Sequence, residues 1–318
     1  MLVVGGESLI DLVQEPLGPD GVIQMSAHQG GSPYNCAIAL AKLGNDTGFL
    51  CPISKDGFGT YLLGPLEQAG VKPLLKERVF APTTLAVVTL NAKKEAQYEF
   101  YRGADRAFTA EALKAALPAG MTQFQIGGFC PIEPEDAAVW VDVATHALRR
   151  GATLSMDPNV RPSLVSDFSA YKRRLDAFFD LTHIVKLSKE DLTALDPGKS
   201  IERHARELLA RPNCELVVVT LGDEGSVAFT ETGTARAGIY SPPVFGDTVG
   251  AGDSLMAGIL TILEEQGDLK PGRLSQLDQA ALEKVLRFGA VVAGLNCGKK
   301  GCNPPTRGEV DAVLRAMA

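Results

Sequence analysis

The residues with the clearest chemical signature form a short turn, Gly250, Ala251, Gly252 and Asp253, which leads into the apolar segment SLMAGIL. The first backbone N–H groups of a helix lack partners within the helix and carry partial positive charge. Because this turn has almost no side chains, an anion can approach those N–H groups closely. A carboxylate beside an anion site is useful when it accepts a proton, such as that of a substrate hydroxyl. The turn therefore predicts phosphoryl transfer to a hydroxyl group, with Asp253 as general base and the turn amides holding the transferring charge.

Two other interpretations of this turn have to be weighed. An aspartate after a glycine-rich loop is also a common way to begin a helix, without any catalytic role. The letters GDSL at 252–255 suggest instead a serine hydrolase with Ser254 as nucleophile. Such an enzyme needs a histidine base, and no histidine follows His204 in the chain. The sequence thus favours phosphoryl transfer over hydrolysis.

Strands and helices alternate along the chain and have to position these residues. Apolar, β-branched runs that are typical of strands lie at 2–7, 47–53, 122–128, 152–157, 183–187 and 215–222. Amphipathic segments that are typical of helices lie at 32–44, 58–70, 134–151, 168–180 and 201–212. Several strands are continuously apolar, as expected for strands covered on both faces. The alternation predicts an α/β fold with a doubly wound, mostly parallel sheet.

Two segments interrupt this alternation. Residues 10–30 and 84–102 look like short alternating strands joined by turns, and the second segment has its predicted turn near Asn91–Glu95. Antiparallel strands inserted near the N-terminus of an α/β sheet commonly form a flap over its carboxyl edge. We predict one domain, residues 1–318, with a small β lid that is discontinuous in sequence and built from about 10–30 and 84–102.

The composition limits the classes of partner. The chain has 318 residues, 45% of them hydrophobic and 22% charged, with a net charge of −7. An acidic protein without a basic stripe is a poor candidate for binding nucleic acid or an anionic membrane. The chain shows no signal-peptide pattern, no apolar run long enough to span a membrane and no CxxC pair among its six cysteines. We therefore expect a cytoplasmic protein with reduced thiols.

Five motifs follow one another in a diagnostic order: HQGGSPYNCAIALAKLG (28–44), MDPNVRP (156–162), VKLSKEDL (185–192), VVVTLGDEGSVAF (217–229) and DTVGAGD (247–253). In these motifs and in their order, the chain resembles the PfkB or ribokinase family of carbohydrate kinases, over essentially its whole length. The resemblance implies a ribokinase-like fold, ATP as phosphoryl donor, Mg²⁺ as the accompanying metal and a sugar as acceptor.

The sugar is assigned by this resemblance to the N-terminal motifs. Gly30 and Gly31 let the backbone approach a ligand, and the Asn35 side chain offers both a donor and an acceptor. In the resembling kinases this element binds sugar hydroxyls, although a tight turn before a helix would have the same pattern. Asp11, in GESLIDL, occupies the position of a sugar-binding aspartate, and a lid turn without a ligand is the alternative.

Three further residues are candidates for substrate contact. Arg102 ends the second lid segment and can pair with a phosphate, pair with a substrate carboxylate or simply cover the lid edge. Asn159 and Arg161 belong to the D-x-N-x-R pattern that follows the strand at 152–157. Ligands lie at the carboxyl ends of parallel strands, so Arg161 is the better candidate of the two arginines.

The nucleotide and the ions are assigned to the later motifs. By resemblance, the candidates for ATP binding are Ser188, Thr220, Gly222 and Gly225. Ribokinases have Asn-x-x-Glu at 188–191, where the carboxylate organises Mg²⁺ through water. This chain has serine first and two acids, so either Glu190 or Asp191 has to serve, unless the pattern is only a capped helix start. A monovalent cation such as K⁺ is assigned to Asp247 and the Val249 carbonyl.

The sequence as a whole predicts an ATP-dependent sugar kinase, with fructokinase as the first choice. The close alternative is 2-keto-3-deoxygluconate kinase, for which Arg102 or Arg161 would bind the substrate carboxylate. A nucleoside kinase fits the D-x-N-x-R pattern less well. From another class, the chain could be a non-catalytic sugar-binding regulator on this fold, but the intact Asp253 turn argues against it. The sugar and the oligomeric state stay open, a homodimer included.

Overall fold

The computed structural model describes residues 1–16, 21–90 and 96–317, so the turn predicted near Asn91–Glu95 lies outside the described residues. The strands, numbered along the chain, are β1 Leu2–Gly5, β2 Leu9–Gln14, β3 Met25–Gly30, β4 Thr47–Leu50, β5 Lys72–Pro73, β6 Leu85–Leu90, β7 Ala96–Tyr101, β8 Gln123–Gly127, β9 Thr153–Asp157, β10 Ile184–Ser188, β11 Leu216–Thr220, β12 Ser226–Phe229 and β13 Thr234–Ala237.

The α-helices lie mainly between the strands of the larger sheet and after its last strand. They are α1 Ser32–Lys42, α2 Gly57–Ala69, α3 Ala110–Ala116, α4 Pro134–Arg149, α5 Phe168–Phe179, α6 Lys189–Leu195, α7 Ile201–Leu209, α8 Ala251–Gln266, α9 Gln279–Cys297 and α10 Arg307–Ala316. Within the described ranges, no helix combines the length and the apolar character that crossing a membrane requires.

Nine strands form the larger sheet, in the order β13-β12-β11-β10-β9-β8-β1-β4-β5. The pairs from β11 to β5 are parallel, whereas β12 and β13 pair antiparallel at one edge. Each of the six strands that the apolar runs predict is present within a few residues of its predicted bounds. The prediction of an α/β fold with a mostly parallel sheet is confirmed.

Helices cover the larger sheet on both faces, which explains why its strands are apolar throughout. In β1, Leu2 and Val4 belong to one core cluster and Val3 belongs to the other. The first cluster contains α1, α8 and α9, and the second contains α4, α5 and α7. Alternate strand residues therefore face opposite helical layers. The burial holds the N-termini of α1 and α8 near the strand ends.

Four strands form a separate small sheet in the order β3-β2-β6-β7. The β2–β3 and β6–β7 pairs are antiparallel, and β2 and β6 are parallel. These strands come from the two segments that interrupt the strand–helix alternation. That this sheet acts as a lid on a single domain stays a prediction.

Candidate active site

The carboxyl ends of the central parallel strands meet at one edge of the larger sheet. In register, Ser188 of β10 pairs with Thr220 of β11, and Gly127 of β8 pairs with Asp157 of β9. Polar side chains that are far apart in sequence are thereby placed side by side. This edge is the position at which α/β proteins of this kind bind ligands.

The N-terminus of α8 forms the turn that the sequence predicts as an anion site. Gly250 has φ 72°, in the left-handed region, and a Cβ there would collide with the Cys302 sulfur, so both conformation and space require glycine. The amide of Ala251 donates to the Thr248 carbonyl. The amides of Gly252 and Asp253 donate to no acceptor within the described residues. Two N–H groups at the positive end of a helix are thus free for an anion.

The Asp253 carboxylate is held by two donors from the start of α1. Ser32 Oγ donates to Oδ1 over 2.6 Å, and Asn35 Nδ2 donates to Oδ2 over 2.9 Å. Burial raises the pKa of Asp253 to about 6, against the opposing effect of these two hydrogen bonds and with a further upward contribution from Asp157. The carboxylate is therefore ionised at neutral pH and close enough to neutrality to take up a proton.

A buried ion pair lies below this turn, and the sequence analysis missed it. Lys186 Nζ and Asp157 Oδ2 are 2.6 Å apart, and the two residues are 5% and 4% exposed. Burial favours the neutral amine, but the carboxylates of Asp157, Asp191 and Asp253 outweigh it and raise the pKa of Lys186. A single lysine inside the otherwise apolar strand segment HIVKL was the available signal, because lysine is rarely buried unless paired.

The predicted sugar side consists of Asp11 and the Gly30–Gly31 pair. A Cβ at Gly30 would collide with the Asp11 carboxylate, and one at Gly31 would lie 2.8 Å from the Glu7 carbonyl oxygen. The Asp11 carboxylate accepts no hydrogen bond from any residue that the structure describes. Burial raises its pKa to about 6, and His28 opposes this. Asp11 therefore offers free acceptor oxygens to a ligand.

Glu7, two residues after the end of β1, is a buried carboxylate that the sequence analysis also missed. Its Oε2 accepts from the Phe129 amide over 2.8 Å, and its Oε1 accepts from the Ser32 amide over 3.3 Å. Burial raises its pKa to about 7. Since Ser32 in turn donates to Asp253, Glu7 fixes the backbone from which the first donor to the proposed base projects.

Arg102 is engaged by protein groups. Its Nε donates to Asp105 Oδ2 over 2.6 Å, a terminal nitrogen lies 3.6 Å from Asp136 Oδ2, and the guanidinium sits over the Phe129 ring at 4.5 Å. The side chain is 15% exposed. The structure thus gives Arg102 a set of fixed partners at the base of the small sheet.

Asn159 and Arg161 follow β9 on an unusual backbone. Asn159 has φ 45°, the one positive value at a non-glycine residue in the described ranges, and Asn tolerates this region better than most residues. Arg161 is exposed, and its Nη1 donates to the Val160 carbonyl over 3.1 Å. Unlike Arg102, Arg161 keeps most of its donors available to a ligand.

The two candidate magnesium carboxylates have different surroundings. Asp191 is 3% exposed, and its oxygens accept from the amides of Ser188 and Val160, each over 2.7 Å. With the Ser188 side chain it completes a capping box at the start of α6. Glu190, by contrast, is exposed. Both carboxylate oxygens of Asp191 thus accept hydrogen bonds from backbone amides, whereas the Glu190 carboxylate is exposed to a ligand.

The segment after β11 turns back sharply beside Thr220. Gly222 has φ 64°, and a Cβ there would meet nothing within 4 Å. Gly225 has φ 91°, and a Cβ there would collide with the Ala237 carbonyl. Gly225 is therefore required by packing, whereas Gly222 leaves open space beside the strand end, as a nucleotide would need.

The candidate monovalent-cation residues form a network between two loops and the C-terminal end of α9. Asp247 accepts from the Gly301 amide over 2.7 Å and from the Val249 amide over 2.9 Å. The Val249 carbonyl accepts from Asn296 Nδ2 over 2.7 Å. The described residues contain no group of three or more His, Cys, Asp or Glu side chains arranged to hold a metal ion.

Comparisons with known proteins identify the family of this chain. A family model described as pfkB family carbohydrate kinase matches residues 1–307. Fructokinase-2 of Solanum lycopersicum is 32% identical over 329 residues, which cover 100% of this chain and 97% of the relative. A fructokinase structure with bound ATP from Xylella fastidiosa is 27% identical, with a TM-score of 0.88 over 99% of this chain and 98% of that one. A ribokinase structure from Giardia lamblia, 23% identical over 100% of this chain and 99% of that one, has the same fold at a TM-score of 0.81. The chain belongs to the PfkB family of carbohydrate kinases.

Proposed function

We propose that the protein is an ATP-dependent fructokinase that converts fructose to fructose 6-phosphate. The observation that supports this most directly is the Asp253 carboxylate, held by α1 beside two free amides of α8. Asp253 takes the proton of the sugar hydroxyl as its oxygen bonds to the γ-phosphorus of ATP. The bond from that phosphorus to ADP breaks, while the free amides stabilise the charge on the transferring group.

Mg-ATP enters this proposal as a substrate. The relatives supply the precedent: an E. coli putative ribokinase II structure holds ATP and Mg²⁺, and a Vibrio cholerae fructokinase structure holds fructose, ADP and a calcium ion. We assign the nucleotide to Ser188, Thr220, Gly222 and Gly225. Magnesium commonly takes only one or two protein carboxylates and completes its shell with water and phosphate oxygens. The exposed Glu190 fits that role better than the fully bonded Asp191.

Fructose is favoured over 2-keto-3-deoxygluconate by the surroundings of Arg102. A sugar acid needs a cation for its carboxylate, and Arg102 is engaged by Asp105 and Asp136. Fructose offers only neutral oxygens, which suit the free acceptors of Asp11. The curated relatives at about 30% identity are also named fructokinases. Arg161 is left to contact phosphate or the sugar.

A substrate screen tests the choice of sugar. With ATP consumption as the readout, we expect the wild-type chain to turn over fructose faster than 2-keto-3-deoxygluconate, ribose or a nucleoside. Arg161→Ala should weaken turnover of every accepted sugar by a similar factor, because a phosphate contact does not distinguish acceptors. Loss of a charge-assisted contact would amount to roughly 1.5–3 kcal/mol.

The opposite outcome is equally specific. The wild-type chain could instead prefer 2-keto-3-deoxygluconate and lose that preference in Arg161→Ala. This result would support the assignment as a kinase and contradict the assignment of fructose as the substrate. Arg102→Ala serves as the comparison: it removes the ion-pair partner of the fully buried Asp105 side chain, so we expect a lower melting temperature. Arg161→Ala should melt like the wild type because Arg161 is exposed.

The hydrolase alternative is tested by Ser254. The residue is fully buried, and its Oγ has no hydrogen-bond partner within the described part of the chain. We expect Ser254→Ala to keep kinase turnover within about twofold of wild type, since it removes a hydroxyl that bonds to nothing. A fluorophosphonate probe should not label the wild-type chain. Labelling at Ser254, or loss of turnover in a well-folded alanine variant, would contradict the assignment.

Three finer assignments complete the proposal. We assign K⁺ to the loop network around Asp247 and the Val249 carbonyl. We also propose a cytoplasmic protein that uses no nucleic-acid or membrane partner. A homodimer through the small sheet is supported by the exposed Tyr98 and Tyr101 of β7, at 60% and 58%, because large exposed apolar side chains are common where proteins associate.

A further inference from the structure

Lys186 stands on the face of β10 that carries α8. Its neighbours along the strand, Val185 and Leu187, face the opposite core cluster, and Ile184 two residues earlier packs with α8 and α9. Successive strand side chains alternate between faces, so the lysine is directed towards the N-terminal region of α8. Its ammonium ends 2.6 Å from Asp157, the last residue of β9. The charge is thereby fixed at the ligand edge of the sheet.

This ammonium has more donors than the protein uses. A lysine ammonium carries three N–H groups, and Lys186 makes one hydrogen bond with the described residues, to Asp157 Oδ2. The other carboxylate oxygen, Asp157 Oδ1, is buried and has no partner there. Leaving buried donors and acceptors unpaired costs free energy. An ion pair that keeps spare N–H donors on the lysine and a free acceptor oxygen on the aspartate is expected where a ligand supplies the missing hydrogen bonds.

The position of Gly252 shows which side of this ion pair would face a ligand. A Cβ at Gly252 would lie 2.9 Å from Lys186 Nζ, so the ammonium is next to the α-carbon of this residue. The N–H of Gly252 is one of the two free amides of the anion-binding turn. Asp157 also borders, together with Asp253 and Ser32, a small cavity behind the turn. A negatively charged group at the turn is therefore within the field of a desolvated cation, where the attraction is far less screened than in water.

We propose that Lys186 is a catalytic residue that donates a hydrogen bond to the transferring phosphoryl group, and that Asp157 is the positioning residue that aims it. The proposal rests on the proposed kinase function. The negative charge that spreads over the phosphoryl oxygens during transfer is what the spare N–H groups of Lys186 match. The glycine at 252 serves the same contact, because any side chain there would separate the ammonium from the turn.

The test compares binding of a transition-state mimic with binding of product. The variants are Lys186→Met and the double variant Lys186→Met/Asp157→Asn, which replaces the buried pair without leaving a lone charge. Calorimetry measures Mg-ADP alone and Mg-ADP with aluminium fluoride and fructose. We expect the mimic to bind about 10- to 100-fold more weakly in both variants, as for loss of a charged hydrogen bond, and Mg-ADP alone to change by less than about threefold. The matched control is Lys72→Met/Asp46→Asn, an exposed pair, which should change neither affinity.

The outcomes separate the two proposals. Equal weakening of the mimic and of Mg-ADP in a folded double variant, or no weakening of either, would make Lys186 a structural residue. Failure of the wild-type chain to bind the mimic would also overturn the contact. Turnover of fructose by the wild type is measured separately: if the mimic binds in a Lys186-dependent way but fructose is not phosphorylated, the choice of sugar fails and Lys186 stands.

Discussion

Replacing Asp253 by asparagine is expected to lower turnover about 10²–10⁴-fold, the usual contribution of a general base. Asparagine keeps the shape and can still accept from Ser32, but it cannot take the proton of the sugar hydroxyl. Fructose and Mg-ADP should bind with nearly unchanged affinity, because the amides of α8 and the predicted sugar contacts remain. Steady-state kinetics and calorimetry on the same preparations provide the measurement.

The pH profile adds a second readout to this variant. Burial raises the pKa of Asp253 from its ordinary value near 4 to about 6, and a base works only when ionised. The wild-type kcat/KM should therefore fall with decreasing pH from about 6, and the asparagine variant should lack this limb. The matched control is Asp278→Asn, at the exposed start of α9, where asparagine caps a helix equally well. An Asp253→Asn enzyme with wild-type turnover would show that another group takes the proton.

Gly252→Val should lower turnover about 10²–10³-fold, comparable to the loss of a donor for the transferring charge. The new Cβ would lie 2.9 Å from Lys186 Nζ, so the ammonium has to move, and the two methyl groups crowd the free amide. Fructose binding should change little, because the proposed sugar contacts lie on α1 and the small sheet. Calorimetry with fructose alone, beside single-turnover kinetics, separates the two effects.

The control for this variant is Gly57→Val. Gly57 also lies in the first turn of a helix, α2, but a Cβ there meets nothing within 4 Å. We expect wild-type turnover from it. If Gly252→Val lost fructose affinity while remaining folded, the α8 turn would serve the sugar rather than the phosphoryl group.

The fold was predictable because its signals are local and repeated. Each central strand is a short apolar run between helical segments, and burial on both faces is visible in the run itself. The antiparallel edge strands β12 and β13 were not distinguished, because a strand of four residues after a turn has no sequence feature that fixes its direction. The only sequence signal for the strands of the small sheet was the interruption of the strand–helix alternation in two segments.

The site was predictable where one segment contains it and less so where several segments meet. Asp253 and its glycines are contiguous, so one motif suggests both the proposed base and the proposed anion site. The role proposed for Lys186 depends on its contacts with Asp157 and Gly252, which are distant from it in sequence. Likewise, the engagement of Arg102 depends on Asp136, which the sequence gives no reason to pair with it. Asp191 and Glu190 are equally plausible metal ligands in the sequence. They differ in the structure, where backbone amides donate to both carboxylate oxygens of Asp191 and Glu190 is exposed.

The span between Asp253 and its two donors on α1 has a consequence for biosynthesis. Ser32 and Asn35 precede the carboxylate by 221 and 218 residues. At about 5–20 residues per second, a ribosome adds Asp253 roughly 10 to 45 s after Ser32. The predicted sugar-binding segments and most of the central strands are therefore synthesised before the proposed base exists. A growing chain is therefore expected to lack phosphoryl transfer until the last quarter of the protein, which carries the proposed base, has been made.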